Sequence, residues 1–509
     1  MTIQHLYEIY LRHPSIRTDT RQLQKGDLFF ALKGPNFNGN SFAARALELG
    51  AAYAVIDETP AQFLTNDPSP ASPLSTGAAD ILPPYISDRL IVVPDTLQTL
   101  QDLALHHRRQ FSIPFIAITG SNGKTTTKEL IHAVLSSTYT TYTTQGNLNN
   151  HIGIPLTILS VRPDAQFAVI EMGANHQKEI AGYCQYTLPT HGIITNVGKA
   201  HLEGFGGPEG VKKGKGELYD FLRLTAGTAF VLHDSADLRH MSRGIPHIIT
   251  YGTHDADITG TVLTVTPHPS TGNAAPIDPA SSDNSFLHVN ITHGAATGDI
   301  HTQLVGDYNL PNILAAVAVG RHFNVPDNDI RQSIESYTPS NSRSQMIERD
   351  GNHIILDAYN ANPSSMLSAI DNFARMPLAP ALTPAALSNH STPNPAAPVA
   401  TNPAPANTAP ATPVPATPGF DRKVLILGAM AELGPESLNE HNAIVNLIAR
   451  YPWHQVVLVG GDFEKIDHPY LSFPDSRAAA TWLRNAGLKD AYLLIKGSRS
   501  MKMEDVLAE

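Results

Sequence analysis

Short apolar runs recur along the chain at residues 52–56, 90–93, 115–118, 167–170, 192–194, 353–356, 424–427, 456–459 and 492–495. Each is followed by a segment whose apolar residues fall at helical spacing. Many of the runs end in Asp, Glu, Asn or Gly. Alternating buried strands and amphipathic helices predict an α/β fold built on parallel sheets, with ligands gathered at the carboxyl ends of the strands. Three segments break this rhythm. Residues 64–86 and 266–285 are rich in Pro, Ser and Ala and read as surface loops. Residues 377–419 hold 12 prolines and no Asp, Glu, Lys or Arg. They lack the bulky apolar residues that offset ordering entropy, so they are expected to form a disordered insertion. Strand-like sequence lies on both sides of the insertion, which places it inside a domain. At 509 residues the chain suits a three-part division into 1–108, 109–338 and 339–509.

Charge and cysteine content narrow the class. The net charge of −11 argues against a nucleic-acid-binding surface, because neutralising phosphates needs an excess of Lys and Arg. Cys184 is the only cysteine, which excludes an intramolecular disulfide and suits a reducing compartment. The first residues show no basic, apolar and small-residue succession, and no run approaches the length of a membrane span. The expectation is a cytoplasmic protein that neither crosses a membrane nor binds nucleic acid.

The most informative stretch is 115–130, FIAITGSNGKTTTKEL. An apolar strand breaks at Gly120, and Gly123, Lys124 and Thr125 open a segment with Leu130, Ile131, Val134 and Leu135 at helical spacing. Strand, glycine turn, Lys-Thr and helix make a cradle for a nucleotide triphosphate. Glycines let backbone N–H groups approach phosphate oxygens, and the helix N-terminus adds positive potential. Gly120, Ser121, Asn122, Gly123, Lys124, Thr125 and Thr126 are the predicted ATP-binding loop, with Lys124 on the β/γ-phosphates and the Thr125 hydroxyl on Mg²⁺. The loop is shorter than the full G-x-x-x-x-G-K-[ST] pattern, since Ile118 stands where the first glycine belongs. Two strand-end residues, Glu171 and His201, are candidates for a metal–phosphate site. Between 210 and 224, Val211, Leu218 and Leu222 share one helical face, with Lys212, Lys213 and Lys215 on or near the other. By spacing alone this is a solvated basic helix; Gly214 and Gly216, flanking Lys215, would also permit close approach to a ligand.

Taken in order, GSNGKTTTKEL, GNLNNHIGIPLTIL, VIEMGANHQKEI, TNVGKAHLEGFG, LDAYNANPSSM, LGAMAELG and LLIKGSRSMKMEDVL resemble the Mur ligases. Within them, the resemblance is to the branch that adds D-alanyl-D-alanine to a UDP-N-acetylmuramoyl-tripeptide in the cytoplasm. It implies three domains: one for the UDP-sugar end of the substrate, a P-loop ATPase core and a Rossmann-like C-terminal domain. It implies ATP, two Mg²⁺ ions and a monomeric enzyme that works through an acyl phosphate. Lys124, Lys215 and His201 would be catalytic, with Thr125, Glu171, His201 and Lys215 serving metal and Lys215 carbamylated by CO₂. Asn309, Asn312, Arg343 and Asp357 would meet the nucleotide. Thr18, Asp19, Thr20, Arg21, Asn38 and Gly39 would bind the UDP-sugar, and Asn360, Asn362, Lys496 and Arg499 the dipeptide or phosphate side. Tyr308 stands where the family commonly has His, and Ala429 where it usually has Asp, leaving Glu432 as the nearby carboxylate. The branch that adds a diamino acid characteristically carries Asp-Asn-Pro-Arg, which this chain lacks. A nucleotide-dependent switch without ligation is the alternative from another class.

Overall fold

A computed structural model describes residues 1–59, 88–263, 286–339, 342–378 and 420–508. The segments expected as loops at 64–86 and 266–285 lie outside the described residues, as does the 377–419 insertion apart from its first two positions. The described chain forms an α/β architecture with three principal sheets of four, nine and six strands. All nine runs singled out by their apolar character are strands. By contacts the chain divides into two compact units. One holds Met1–Thr261, Val289–Ile300 and Asn309–Tyr337; the other holds Val262–His288, His301–Tyr308 and Thr338–Glu509.

The four-stranded sheet is parallel, in the order Ile16–Arg17, Leu28–Phe30, Tyr53–Ile56, Leu90–Val92. Phe29, Ala31, Ala54 and Ile56 pack on one of its faces against Ala43, Ala46 and Leu47. In the nine-stranded sheet, Phe115–Thr119 lies between His191–Ile194 and Phe167–Glu171, parallel to both. Phe115–Thr119 and Phe167–Glu171 are buried at every residue, as expected of strands covered on both faces. From Phe115–Thr119 the chain first crosses to Thr141–Thr143 on one side and later reaches His191–Ile194 on the other. The central strand therefore sits at a switch of direction, where open α/β sheets bind ligands.

The six-stranded sheet runs Gln345–Arg349, Asn352–Asp357, Tyr492–Lys496, Lys423–Gly428, Gln455–Val459, Leu471–Phe473. Only its first pair is antiparallel. Alternate residues Ile354, Leu356, Val424, Ile426, Val457, Val459, Leu493 and Ile495 form one side of its core, following the two-residue period of a strand. Lys423 is buried in this unit, and its Nζ donates to Ala374 O and Met376 O at 2.8 Å each, beside the Phe420 ring. Burial pushes its pKa down to about 8. One side chain thus joins the end of the Pro363–Arg375 helix to the strand that follows residue 420.

Replacing Lys423 by Met removes the donor from two carbonyls, and a loss of about 1–3 kcal/mol in unfolding free energy is expected by urea denaturation. Excising 379–419 and joining the flanks by a short Gly-Ser linker should leave the melting temperature within a few degrees. A collapse of the second unit in that variant would show that the flanks do not hold themselves together.

Candidate active site

Gly120 ends the central strand at φ 142°, and Gly123 precedes the Lys124–Ser136 helix at φ 79°. A Cβ on Gly120 would collide with Thr195 Oγ1, and one on Gly123 would lie 2.6 Å from Asn312 Oδ1. The loop between them is pinned by the segment after the neighbouring strand. Ser121 N–H donates to Asn196 O and Asn122 N–H to Asn196 Oδ1, both at 3.0 Å, while Ser121 Oγ donates to Gly198 O at 2.7 Å. Thr195 Oγ1 and Asn196 Nδ2 both donate to Asn122 O, at 2.6 and 3.0 Å. These bonds commit the loop's first amides to protein and leave the first turn of the helix, whose N–H groups precede its own hydrogen-bond ladder, to face an anion. Lys124 Nζ folds back over the loop onto Gly120 O at 2.7 Å and Ser121 O at 3.2 Å.

Glu171 ends the adjacent strand and is 1% exposed. One carboxylate oxygen accepts from Thr125 Oγ1 at 2.9 Å and the other from Asn149 Nδ2 at 2.8 Å. Its own N–H donates to Thr144 Oγ1 at 3.0 Å, and Thr144 O accepts from the buried Lys128 Nζ at 2.6 Å. Thr125 and Glu171, both singled out in the sequence, therefore meet through a hydrogen bond. The oxygen donors and the helix N-terminus suit a hard cation bound with a polyphosphate.

The structure separates the three lysines of the Pro208–Leu224 helix. Lys212 pairs with Glu209 and Asp237 at 3.2 and 3.1 Å, Lys213 is exposed, and Lys215 is 1% exposed. Lys215 Nζ donates to Ala174 O at 3.0 Å, three residues beyond Glu171, and lies 4.9 Å from the centroid of the Phe205 ring. Its pKa is driven well below the ordinary lysine value by burial and, after that, by the positive charge of Lys124. Glu217 does not pair with it directly, because its carboxylate caps the Glu179–Thr187 helix by accepting from Lys178 N–H and Ala181 N–H. Phe205 belongs to the short helix Leu202–Phe205 that His201 caps from a left-handed conformation, φ 52°. His201 and Lys215 are thus gathered around Phe205.

One expectation is corrected. Gly214 and Gly216 do not open a path to a ligand. A Cβ on Gly214 would strike the Phe205 ring, and one on Gly216 would lie 3.3 Å from Met241 Cε. Gly214, with Gly210 against the Phe205 carbonyl, lets the Leu202–Phe205 helix lie against the longer one. Asn312 and Asn309 are buried beneath the loop: Asn312 Oδ1 accepts from Thr127 Oγ1 at 3.0 Å, and its amide donates to Asn309 Oδ1 at 2.9 Å.

In the first sheet, Asp19 caps the Thr20–Gln22 turn and holds Arg21 by three side-chain bonds of 2.7 to 3.0 Å. Those bonds keep its pKa at about 2. Asn38 Oδ1 accepts from Asn40 N–H, and a Cβ on Gly39 would run into the Leu32 carbonyl. Asn40, Lys33 and Thr96 converge on Asp57 at the carboxyl ends of these strands. In the second unit, Lys496 Nζ pairs with Asp357 at 2.6 Å and donates to Asn360 O at 3.1 Å. The Arg343 guanidinium lies 3.5 Å over the Tyr359 ring, and Arg499 pairs with Glu504 at 2.7 Å. Asn362 caps the Pro363–Arg375 helix through a capping box with Ser365. Tyr308 hydrogen-bonds Ser344 Oγ at 2.9 Å. Ala429 is buried, with its carbonyl accepting from Ser498 N–H and Oγ.

Two family models match: the Mur ligase middle domain over residues 118–320, and that described as Mur ligase family, catalytic domain, over 14–108. A UDP-N-acetylmuramoyl-tripeptide--D-alanyl-D-alanine ligase of Escherichia coli (strain K12) is 31% identical, over 97% of this chain and 92% of that one. The chain belongs to the Mur ligase family. A ligase of the same name from Synechocystis is 33% identical over 72% of this chain and 71% of its own length. The crystal structure of MurF from Acinetobacter baumannii superposes on this Mur ligase with a TM-score of 0.74 at 26% identity, covering 100% of this chain and 98% of that one. Among the described residues of this Mur ligase, no helix is long and apolar enough to cross a membrane.

Several residues that build the site in this Mur ligase were not predicted. Asn149, Asn196 and Lys128 fall inside the strings GNLNNHIG, TNVG and GKTTTKEL, which carry the resemblance, and Thr144 lies just before the first of these; nothing in their spacing marks their contacts.

The low pKa of Lys215 has a testable sign. The unfolded chain binds a proton at this lysine up to about pH 10.4, whereas the folded chain releases it at lower pH. Lys215 therefore lowers stability by a fixed amount at low pH, and the penalty fades as pH rises from the folded pKa towards the unfolded one. In CO₂-free buffer, Lys215→Met should be more stable than the parent near neutrality, with the gap narrowing as pH is raised. A gap that widens with pH in urea melts would reverse this assignment.

Proposed function

We propose that this Mur ligase joins D-alanyl-D-alanine to the terminal carboxylate of a UDP-N-acetylmuramoyl-tripeptide at the expense of ATP. The observation that carries the reading is the convergence, at the carboxyl end of one sheet, of a Gly-Lys-Thr loop, a buried carboxylate and a buried lysine whose pKa is driven down by that burial. The full-length relatives carry that reaction in their names, which supports the choice of substrates. The absence of Asp-Asn-Pro-Arg from the sequence favours the dipeptide over a diamino acid.

A carboxylate is a poor electrophile. Transfer of the γ-phosphoryl group to one of its oxygens gives an acyl phosphate and ADP. The dipeptide amine then attacks the carbonyl carbon, the C–O bond to phosphate breaks, and inorganic phosphate leaves as the amide forms. The chain must bring two anions together and hold them in line, which is a task of positioning and charge neutralisation. Lys124 and the first turn of its helix are assigned to the phosphates. Thr125 and Glu171, with His201, are assigned to Mg²⁺, which neutralises phosphate charge when bound. Lys215 is assigned the carbamate. Only an uncharged amine adds CO₂, and the burial that lowers the lysine's pKa also places its Nζ beside Ala174. The product is an anion, which turns a lysine into a metal ligand for a second Mg²⁺.

Asn309 and Asn312, buried beneath the loop, are assigned to the nucleotide. Arg343 and Asp357 are assigned to the nucleotide, and Asn360, Asn362, Lys496 and Arg499 to the dipeptide or phosphate side. Thr18, Asp19, Thr20, Arg21, Asn38 and Gly39 are assigned to the UDP-sugar. Residues 1–108, 109–338 and 339–509 are assigned as the three domains, a division supported by one principal sheet in each. Dependence on ATP and a reduced, buried Cys184 suit a cytoplasmic enzyme.

The test is phosphate release by purified protein with MgATP and UDP-N-acetylmuramoyl-tripeptide, with and without D-alanyl-D-alanine. Release that needs the dipeptide, with a product heavier by the dipeptide less one water, is expected. Release driven instead by a single amino acid would move the protein to another branch of the family. Lys124→Ala should cut turnover by at least about 10²-fold and leave UDP-substrate affinity unchanged in titration calorimetry. Lost affinity for that substrate would count against the domain assignment.

A further inference from the structure

A second cluster of metal-ligating side chains lies on the same sheet, at the ends of two other strands. The strands Thr228–Leu232 and His247–Gly252 are parallel, with Leu232 opposite Tyr251. His233 and Asp234 leave the first strand as Gly252, Thr253 and His254 leave the second, and His233 N–H donates to Tyr251 O at 2.7 Å. We propose that His233, Asp234 and His254 bind one first-row transition-metal ion, with Zn²⁺ as the best match to the donors.

One donor atom from each of the three residues lies within 4.8 Å of the others. His254 Nε2 is 3.7 Å from Asp234 Oδ1, close to the ~3.4 Å that separates two ligands on a tetrahedral Zn²⁺ with bonds of about 2.0–2.2 Å. The remaining contraction falls on side chains that are exposed or half-buried and able to rotate.

The surroundings orient the donors. His254 Nδ1 lies 3.2 Å from the Asp255 carboxylate, the carboxylate–histidine pairing that fixes a ring so that its other nitrogen faces a metal. Thr253 N–H reaches both Asp234 oxygens at 3.0 Å. A Cβ on Gly252 would come within 2.6 Å of Asp234 Oδ1, so the glycine makes room for the carboxylate. The His233 and His254 rings stand edge to face, 5.5 Å apart. His233 Nδ1 is buried with no hydrogen-bond partner among the described residues, so this ring holds an uncommitted polar atom at the cluster.

Two imidazoles and one carboxylate favour Zn²⁺, Co²⁺ or Ni²⁺ over Mg²⁺, which prefers oxygen donors. The site is thus chemically distinct from the Thr125–Glu171 pair. An ion here would tie the loop after one strand to the loop after the next.

The test is calorimetric titration of the full chain with ZnCl₂ in excess MgCl₂, comparing the parent with His254→Gln and Asp234→Asn. The parent should bind one more Zn²⁺ than either variant, or bind it at least tenfold more tightly. Co²⁺ should give the parent alone the visible bands of a tetrahedral nitrogen-ligated ion. Unchanged ATP turnover in both variants would show that they are folded. Equal Zn²⁺ stoichiometry and affinity in all three proteins, with identical Co²⁺ spectra, would overturn the proposal.

Discussion

A carboxylate buried at the end of a strand must be paired, and Glu171 organises the nucleotide half of the molecule for that reason. Leaving it unpaired would cost several kcal/mol. Its two oxygens and its amide recruit Thr125 from the P-loop helix, Asn149 from the loop after Thr141–Thr143, and Thr144 from the end of that strand. Lys128 then ties Thr144 back to the P-loop helix. Three segments distant in sequence are held together around one residue.

Lys215 presents the opposite problem. A lysine this deeply buried is stabilised by losing its proton; its Nζ rests on one carbonyl and one aromatic ring, and the charges of Glu179 and Glu217 offset the burial only in part. Glu217, two residues on, is occupied in capping another helix. The chain therefore holds a buried amine close to the positively charged Lys124. That is an unfavourable arrangement for stability, and it is suited to an amine that must react.

The strands on either side of the P-loop were legible because both faces of each are covered, giving continuous apolar runs bounded by glycine or acidic residues. Strands such as His247–Gly252, buried only towards one end, lacked that contrast. Gln345–Arg349 was missed because its residues are mostly half-buried and show no clean alternation. Lys124, Thr125 and Glu171 were visible as a motif and a strand end. The choice of Lys215 over Lys212 and Lys213 rests in the sequence on its place two residues before Glu217; in the structure, burial against Ala174 and Phe205 separates it from the other two. Gly214 was read towards a ligand when its cause is the Phe205 ring, a contact between segments that no local pattern reveals.

The central claim is that phosphate is carried on the substrate carboxylate before the new bond forms. It is tested most directly with UDP-N-acetylmuramoyl-tripeptide bearing ¹⁸O in its terminal carboxylate, incubated with MgATP and D-alanyl-D-alanine. One ¹⁸O should pass into inorganic phosphate for each amide bond made. Phosphate released without the label would mean that water, not the carboxylate, takes the γ-phosphoryl group, and the ligase account would fail.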